Sequence, residues 1–210
     1  MDFTLTEEQE LFRKSIREFV EREVTPRIPE LEARGEFPRD LFRRCAELGY
    51  FGTRYPEKYG GAGAGPTMFV ILCEELARGY LSLAAAVMMQ CLMGTDFVFR
   101  FGTEEQRERL LVPAIRGEKI GTIMMTEPGA GSDLGAIATT AVADGEEYVL
   151  NGAKTWITSA TVADFFTVAA KTTPDAGFKG IDMFLVEKGT PGLEIGKKIH
   201  KLGTWASETS

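Results

Sequence analysis

Histidine is almost missing from this 210-residue chain: His200 is the only one, set in the basic stretch Lys197-Lys-Ile-His-Lys201. A histidine-based metal centre, or a Ser-His or Cys-His nucleophile, would have to be built on that single residue. No orienting acid and no ligand-spaced Cys, Asp or Glu group accompanies it, so neither metal catalysis nor a triad is expected, and His200 reads as a surface residue. Cysteine is scarce as well. Cys45, Cys73 and Cys91 are odd in number, widely spaced and set in apolar helical surroundings, which suits core thiols in a reducing compartment rather than a disulfide framework or a metal knuckle. Positive charge is in deficit, 24 Lys plus Arg against 31 Asp plus Glu for a net charge of -7, so no nucleic-acid partner is expected. Long apolar runs are also short. Leu81 to Met93 is interrupted by Ser82 and Gln90 and falls below the roughly 20 residues of a bilayer span, so a buried helix is expected there and no membrane insertion. Met1-Asp-Phe-Thr-Leu-Thr-Glu-Glu8 has neither a basic flank nor an apolar core, and no targeting segment is visible in it.

What remains is ordinary globular material, 44% hydrophobic and 26% charged, enough for one large domain or two small ones. The first half reads as helical. Thr6-Glu-Glu-Gln9 has the form of a capping box, after which Phe12, Ile16, Phe19, Val20 and Val24 recur at helical spacing until Pro26 is expected to close the element. A second helix is expected from about Pro38 to Leu48, with Gly49 as its stop. Pro56-Glu-Lys-Tyr-Gly-Gly-Ala-Gly-Ala-Gly-Pro66 lacks the Gly-Lys-Ser/Thr ending of a P-loop and reads as a connecting loop. Pro66 opens another helix, Leu81 to Phe101 belongs inside a bundle, and Thr103-Glu-Glu-Gln106 offers a second capping box.

Near Gly117 to Gly121 the pattern changes to short alternating runs rich in β-branched and aromatic residues. Asp144-Gly145 and Asn151-Gly152 each sit between two such runs and signal hairpins, the second one leading into Lys154 to Thr158. Further strands are expected at 164–171, 181–186 and 193–195. The expected fold is α+β: an all-α helical bundle over residues 1–118, then an antiparallel β-barrel or sandwich over residues 119–210. The end of the sequence carries no closing element, as though cut within the β domain.

One stretch organises the β half. Ile123, Met124 and Met125 can bury as a strand, while Pro128, Gly129 and Gly131 force a turn that makes Thr126, Glu127, Ser132 and Asp133 available. Backbone N–H groups in such a turn can converge on an anion, although an ordinary strand-to-loop turn uses the same residues. Gly129-Ala-Gly-Ser-Asp-Leu-Gly135 misses the glycine spacing of a dinucleotide fold by one and leads into more strand. The second stretch, Asn151-Gly-Ala-Lys-Thr-Trp-Ile-Thr158, adds an indole. Alternation along a strand would put Trp156 on the same face as Lys154 and Thr158 and opposite Ile157, either as a plate for a flat heterocycle or as a core residue.

These two stretches together closely resemble the flavin-binding signatures of the acyl-CoA dehydrogenase family. Thr6-Glu-Glu-Gln9, Pro56-Glu-Lys-Tyr-Gly-Gly61, Cys73-Glu-Glu-Leu-Ala-Arg78, Gly102-Thr-Glu-Glu-Gln106 and Lys201-Leu-Gly203 resemble further landmarks, in family order. The resemblance implies FAD as cofactor, with Ile123, the backbone of Met124 and Met125 and the hydroxyl of Thr126 at the isoalloxazine edge, Trp156 and Ile157 beside the ring, and Thr158 near its reactive N5. Gly131 and Ser132 would lie near the pyrophosphate, with Ser132 alternatively on the CoA part of an acyl-CoA substrate. The implied reaction is α,β-dehydrogenation of an acyl thioester in fatty-acid β-oxidation, with a glutamate base and a β-hydride passing to flavin N5. Electron-transfer flavoprotein is the implied acceptor, a homotetramer the implied assembly, and the cytoplasm or mitochondrial matrix the implied location.

The family's catalytic glutamate lies in a carboxyl-terminal helical domain, so no catalytic residue is expected in this sequence. Glu127 and Asp133 are structural in the family motif. Thr204-Trp205 departs from the aromatic-then-Arg pattern of many relatives. A non-catalytic flavin or acyl-CoA binding fragment, or an oxidase on the same scaffold, are the alternatives. The polar residues of Gln90 to Asp96 are expected to help size an acyl pocket.

Overall fold

A computed structural model describes residues 3–210; Met1 and Asp2, at the start of the segment read for targeting signals, lie outside the described residues. α1 (Glu7–Phe19) begins on the expected capping box: Gln9 N donates to Thr6 Oγ1 at 3.3 Å and Thr6 N donates to Gln9 Oε1 at 3.0 Å. Pro26 does not end the helix. The backbone widens into a π turn at Val20–Val24, where Thr25 N bonds the Val20 carbonyl, tightens over Thr25–Arg27, and continues as α2 (Ile28–Arg34). The change of pitch frees Pro26 from having to donate an N–H into a regular ladder. α3 (Arg39–Glu47) buries Leu41, Phe42 and Cys45, and Gly49 follows in the left-handed conformation.

α4 (Gly65–Gly79) packs beside α1, and the buried Glu75 carboxylate accepts from Arg17 at 2.6 and 3.0 Å and from Arg78 at 2.9 Å. Next come α5 (Leu81–Met88), a π turn at Met89–Gly94 and α6 (Asp96–Phe101), one continuous helical run of 21 residues whose most apolar window has mean hydropathy 1.5. Its length matches a bilayer span, contrary to the expectation from Leu81 to Met93; 56% of its most apolar window is buried in this fold. α7 (Glu104–Gln106) starts on the second capping box, and a π turn at Arg107–Leu111 leads to α8 (Val112–Ile115).

Five strands follow: β1 (Gly121–Met124), β2 (Thr140–Asp144), β3 (Glu147–Asn151), β4 (Phe165–Lys171) and β5 (Ile181–Glu187). They form one mixed sheet, not the all-antiparallel one expected. β4 is buried from Phe165 to Ala170 and carries β5 antiparallel on one edge. Its other edge takes β1 in parallel, Gly121 opposite Phe165, and then β2 in parallel where Thr140 meets Lys171. Long connections separate β1 and β2 from β4 in sequence, which is what parallel neighbours require. Only β2 and β3 make the hairpin signalled by Asp144-Gly145, with Val142 opposite Val149.

The Asn151-Gly152 hairpin does not form. A Cβ on Gly152 would lie 2.3 Å from Thr139 Oγ1, so this glycine serves close backbone approach rather than a two-residue turn. Lys154 to Thr158 is irregular apart from one bridge between Thr158 and Thr209, and 193–195 is not a strand.

The helical and β parts share one core, in which Leu72, Leu76 and Leu83 join Met124, Ile157 and Phe166. The contact nearest the site runs from the π turn to β1. Gln90, fully buried, donates to the carbonyls of Ala114 at 3.0 Å and Lys119 at 2.8 Å and accepts from Gly121 N at 3.0 Å. Thr95 Oγ1 bonds the Gln90 carbonyl and the Tyr55 hydroxyl. The Gln90 and Thr95 side chains thus hold helix, turn and strand together.

Candidate functional site

β1 ends at Met124, and four contacts lace the chain just before and after that point to the second motif stretch. Thr122 Oγ1 donates to the Thr158 carbonyl at 2.7 Å, and Thr155 N donates to the Thr126 carbonyl at 2.9 Å. Lys154 Nζ donates to the Met125 carbonyl at 3.0 Å and to Glu127 Oε1 at 2.7 Å. The two stretches named in the sequence are therefore neighbours from Thr122 to Glu127 and from Lys154 to Thr158. A third segment backs them: Ile157 and Ser210 exchange both backbone hydrogen bonds, at 2.8 and 3.1 Å, and Ser159 N donates to the Glu208 carbonyl.

Glu127 and Lys154 form a buried ion pair, with side chains 6% and 7% exposed. Glu127 also accepts from Ala138 N at 2.5 Å, from Thr139 N at 3.0 Å and from the Thr139 hydroxyl. Burial alone would push its carboxyl up, but these donors and the Lys154 ammonium outweigh it and hold the pKa at about 2. Lys154 is also shifted down, because burial costs its ammonium more than Glu127 returns. The two shifts differ in meaning: the carboxylate has a full set of donors, whereas the ammonium has two acceptors.

A carboxyl whose folded pKa lies below its unfolded value of about 4.3 contributes stability above that value and loses it as the pH falls toward the folded one. The urea midpoint should therefore drop as pH is lowered from about 5 to about 3, by a share on the order of 2 kcal/mol that Glu127→Gln removes. A wild-type midpoint with no slope across that range would contradict the assignment.

In front of this pair, Ile123, Met125, Thr126 and Thr158 are half-buried, and Met124 and Ile157 are buried. Met125 also packs on Ala130, Ile137 and Ala169. Trp156 is 56% exposed and holds a left-handed backbone with φ 61°, a strained conformation for a bulky residue and one common at functional sites. It is an open indole plate, not a core residue. Trp156 and Ile157 do take opposite environments, but through an irregular segment and not through strand alternation; Lys154 turns inward, away from Trp156.

The glycine loop is equally open. Pro128, Gly129, Gly131, Ser132 and Asp133 are exposed. A Cβ added at Gly129 or Gly131 would meet nothing within 4 Å, and neither glycine needs a positive φ. Neither crowding nor backbone conformation calls for glycine there, and its effect is a strip of bare backbone facing outward. An exposed indole, flanking hydroxyls and bare peptide fit a flat heterocycle carrying phosphates. His200 is exposed, Cys45 and Cys91 are buried, and burial raises both of those thiol pKa values.

The sequence reading gave no site role to Thr122, Thr139 or the 207–210 segment, and it set Lys154 on the face of Trp156 and not on Glu127. The one available signal was Lys154, a cation within an otherwise small and aromatic run.

Comparison with known proteins places this arrangement. Residues 6–118 match the description "Acyl-CoA dehydrogenase, N-terminal domain" and residues 122–210 match "Acyl-CoA dehydrogenase, middle domain". Benzylmalonyl-CoA dehydrogenase of Aromatoleum aromaticum is 51% identical over 210 residues, 100% of this chain and 55% of that protein. Among solved structures, butyryl-CoA dehydrogenase from Megasphaera elsdenii superposes with a TM-score of 0.93 at 36% identity, over 100% of this chain and 56% of that one. A chain solved in work on the electron transferring flavoprotein of Acidaminococcus fermentans superposes at 0.95 with 36% identity, over 100% and 55% respectively. The chain thus spans about half the length of the relatives it matches. Two family descriptions in order, and a fold shared over the whole of this chain, make the chain a member of the acyl-CoA dehydrogenase family.

Proposed function

We propose that the protein is an FAD-dependent acyl-CoA dehydrogenase acting on the α,β bond of an acyl-CoA thioester, its residues 1–118 forming the helical unit and 119–210 the β unit. The observation that carries this reading is the lacing of the two motif stretches, which ties the strand end at Thr126 to the segment that carries Thr158 and the exposed Trp156. Ile123, the backbone of Met124 and Met125, and Thr126 would hold the isoalloxazine edge, with Ile157 and Thr158 beside it and Trp156 against the ring. Gly131 and Ser132 would take the pyrophosphate, or for Ser132 the CoA portion. When bound, FAD supplies an acceptor for a hydride.

The chain's own part is to orient, to exclude water and to present hydroxyls. Glu127 is not the base in this reading: its carboxyl pKa is held at about 2, and it is buried and occupied by Lys154 and the Ala138 and Thr139 donors. Acyl-CoA as substrate, electron-transfer flavoprotein as acceptor, a homo-oligomeric assembly and a cytoplasmic or matrix location complete the proposal.

Anaerobic addition of acyl-CoA thioesters to the purified protein from its full gene should bleach the flavin absorbance. No bleaching across short, branched, medium, long and aryl chains would overturn the reading, and turnover with O2 as sole acceptor would identify an oxidase instead. Trp156→Ala should weaken FAD binding about tenfold, the value of one aromatic contact of about 1.4 kcal/mol. Fluorescence titration of the apoprotein measures it, and an unchanged Kd would place the ring elsewhere.

A further inference from the structure

Lys154 has no role in the chemistry just proposed, yet its ammonium is one of the most enclosed charges in the chain. It sits where three stretches meet. It donates to the Met125 carbonyl at 3.0 Å and pairs with Glu127 at 2.7 Å, while Glu127 ties in Ala138 and Thr139. The next carbonyl along, that of Thr126, is held by Thr155 N. Two successive carbonyls are thus tied to the 154–155 stretch.

The Met125 carbonyl and the Thr126 N–H belong to one planar trans peptide, so fixing the oxygen on one side fixes the direction of the N–H on the other. A neutral or mobile partner would leave that plane free to tilt. An enclosed ammonium gives a charge-assisted bond that resists tilting. We propose that Lys154 is a positioning residue: gripping the Met125 carbonyl from behind, it aims the Thr126 backbone N–H and the adjoining hydroxyl at the polar edge of the bound flavin without touching the cofactor. Glu127 serves this role by keeping the ammonium charged and in place. The inference rests on the flavin reading.

The test has three readouts: FAD Kd by fluorescence titration of the apoprotein, and on the holoprotein the shape and position of the flavin visible bands and the flavin midpoint potential. Lys154→Met is expected to raise Kd about tenfold or more, and to shift both bands and potential. Lys154→Arg, which keeps a charged donor, should recover most of each change. Should Lys154→Met fail to fold, Lys154→Gln carries the same readouts, since its amide stays polar but ends short of the Met125 carbonyl. A folded Met or Gln variant with a lowered melting temperature but wild-type Kd, bands and potential would overturn the proposal and leave Lys154 a purely structural residue. A wild-type protein that binds no FAD would overturn the functional reading instead, a different result.

Discussion

Gly94→Ala is expected to lower the unfolding midpoint by about 6–12 °C, equivalent to a loss of about 3 kcal/mol in a chain of this size. A Cβ on Gly94 would fall 2.2 Å from the Gly121 carbonyl oxygen, and one on Gly121 would fall 2.6 Å from the Gly94 oxygen and 2.4 Å from the Phe165 ring. Both neighbours are largely backbone, so nothing flexible can swing aside. The helix has to back away from β1, and as it does the Gln90 side chain loses its bond to Gly121 N. The displacement is passed to Met124 and so to the wall of the site. Calorimetry on Gly94→Ala beside Gly129→Ala isolates the effect, because a methyl at 129 meets nothing within 4 Å and should leave stability within about 1 kcal/mol of wild type. Equal midpoints for the two variants would show that the close approach is not what holds helix to sheet.

Glu127→Ala is expected to cost about 3–5 kcal/mol, the usual result of stranding a buried charge. Removing the carboxylate leaves the Lys154 ammonium with the Met125 carbonyl alone and strips Ala138 N and Thr139 N of their acceptor. The pair itself need not be strongly stabilising, since Lys154 enters the interior at a cost that its lowered pKa records. Glu127→Leu combined with Lys154→Met should for that reason recover much of the loss in urea titrations. A single-variant cost below about 1 kcal/mol would mean that water reaches the ammonium.

The helical half was legible because its signals are local. Both capping boxes formed where Thr6 and Thr103 put them, and the Asp144-Gly145 turn made its hairpin, since each depends on residues within a few positions of one another. The failures have a shared cause in distance. Nothing around Gly121 announces that it pairs in parallel with Phe165, and that pairing is what turned an expected antiparallel barrel into a mixed sheet. Asn151-Gly152 carried a good turn signal, but the space left by Thr139 decided what the glycine was for. Gln90 looked like a polar guest in an apolar helix and proved to be the bond between helix and strand. Of the site, the two facing stretches and the indole were readable as motifs. The ion pair that binds them was not, because a buried charge pair leaves no periodicity in a sequence.

The pairing of Ile157 with Ser210 also sets a schedule. Thr122 waits for Thr158, 36 positions on, and Ile157 waits in turn for Ser210. On a ribosome adding roughly 5–20 residues per second, the helices can condense from local contacts while these partners are still unmade. The two motif stretches are then laced together only after the helical part has condensed, so their closure follows that part and does not guide it.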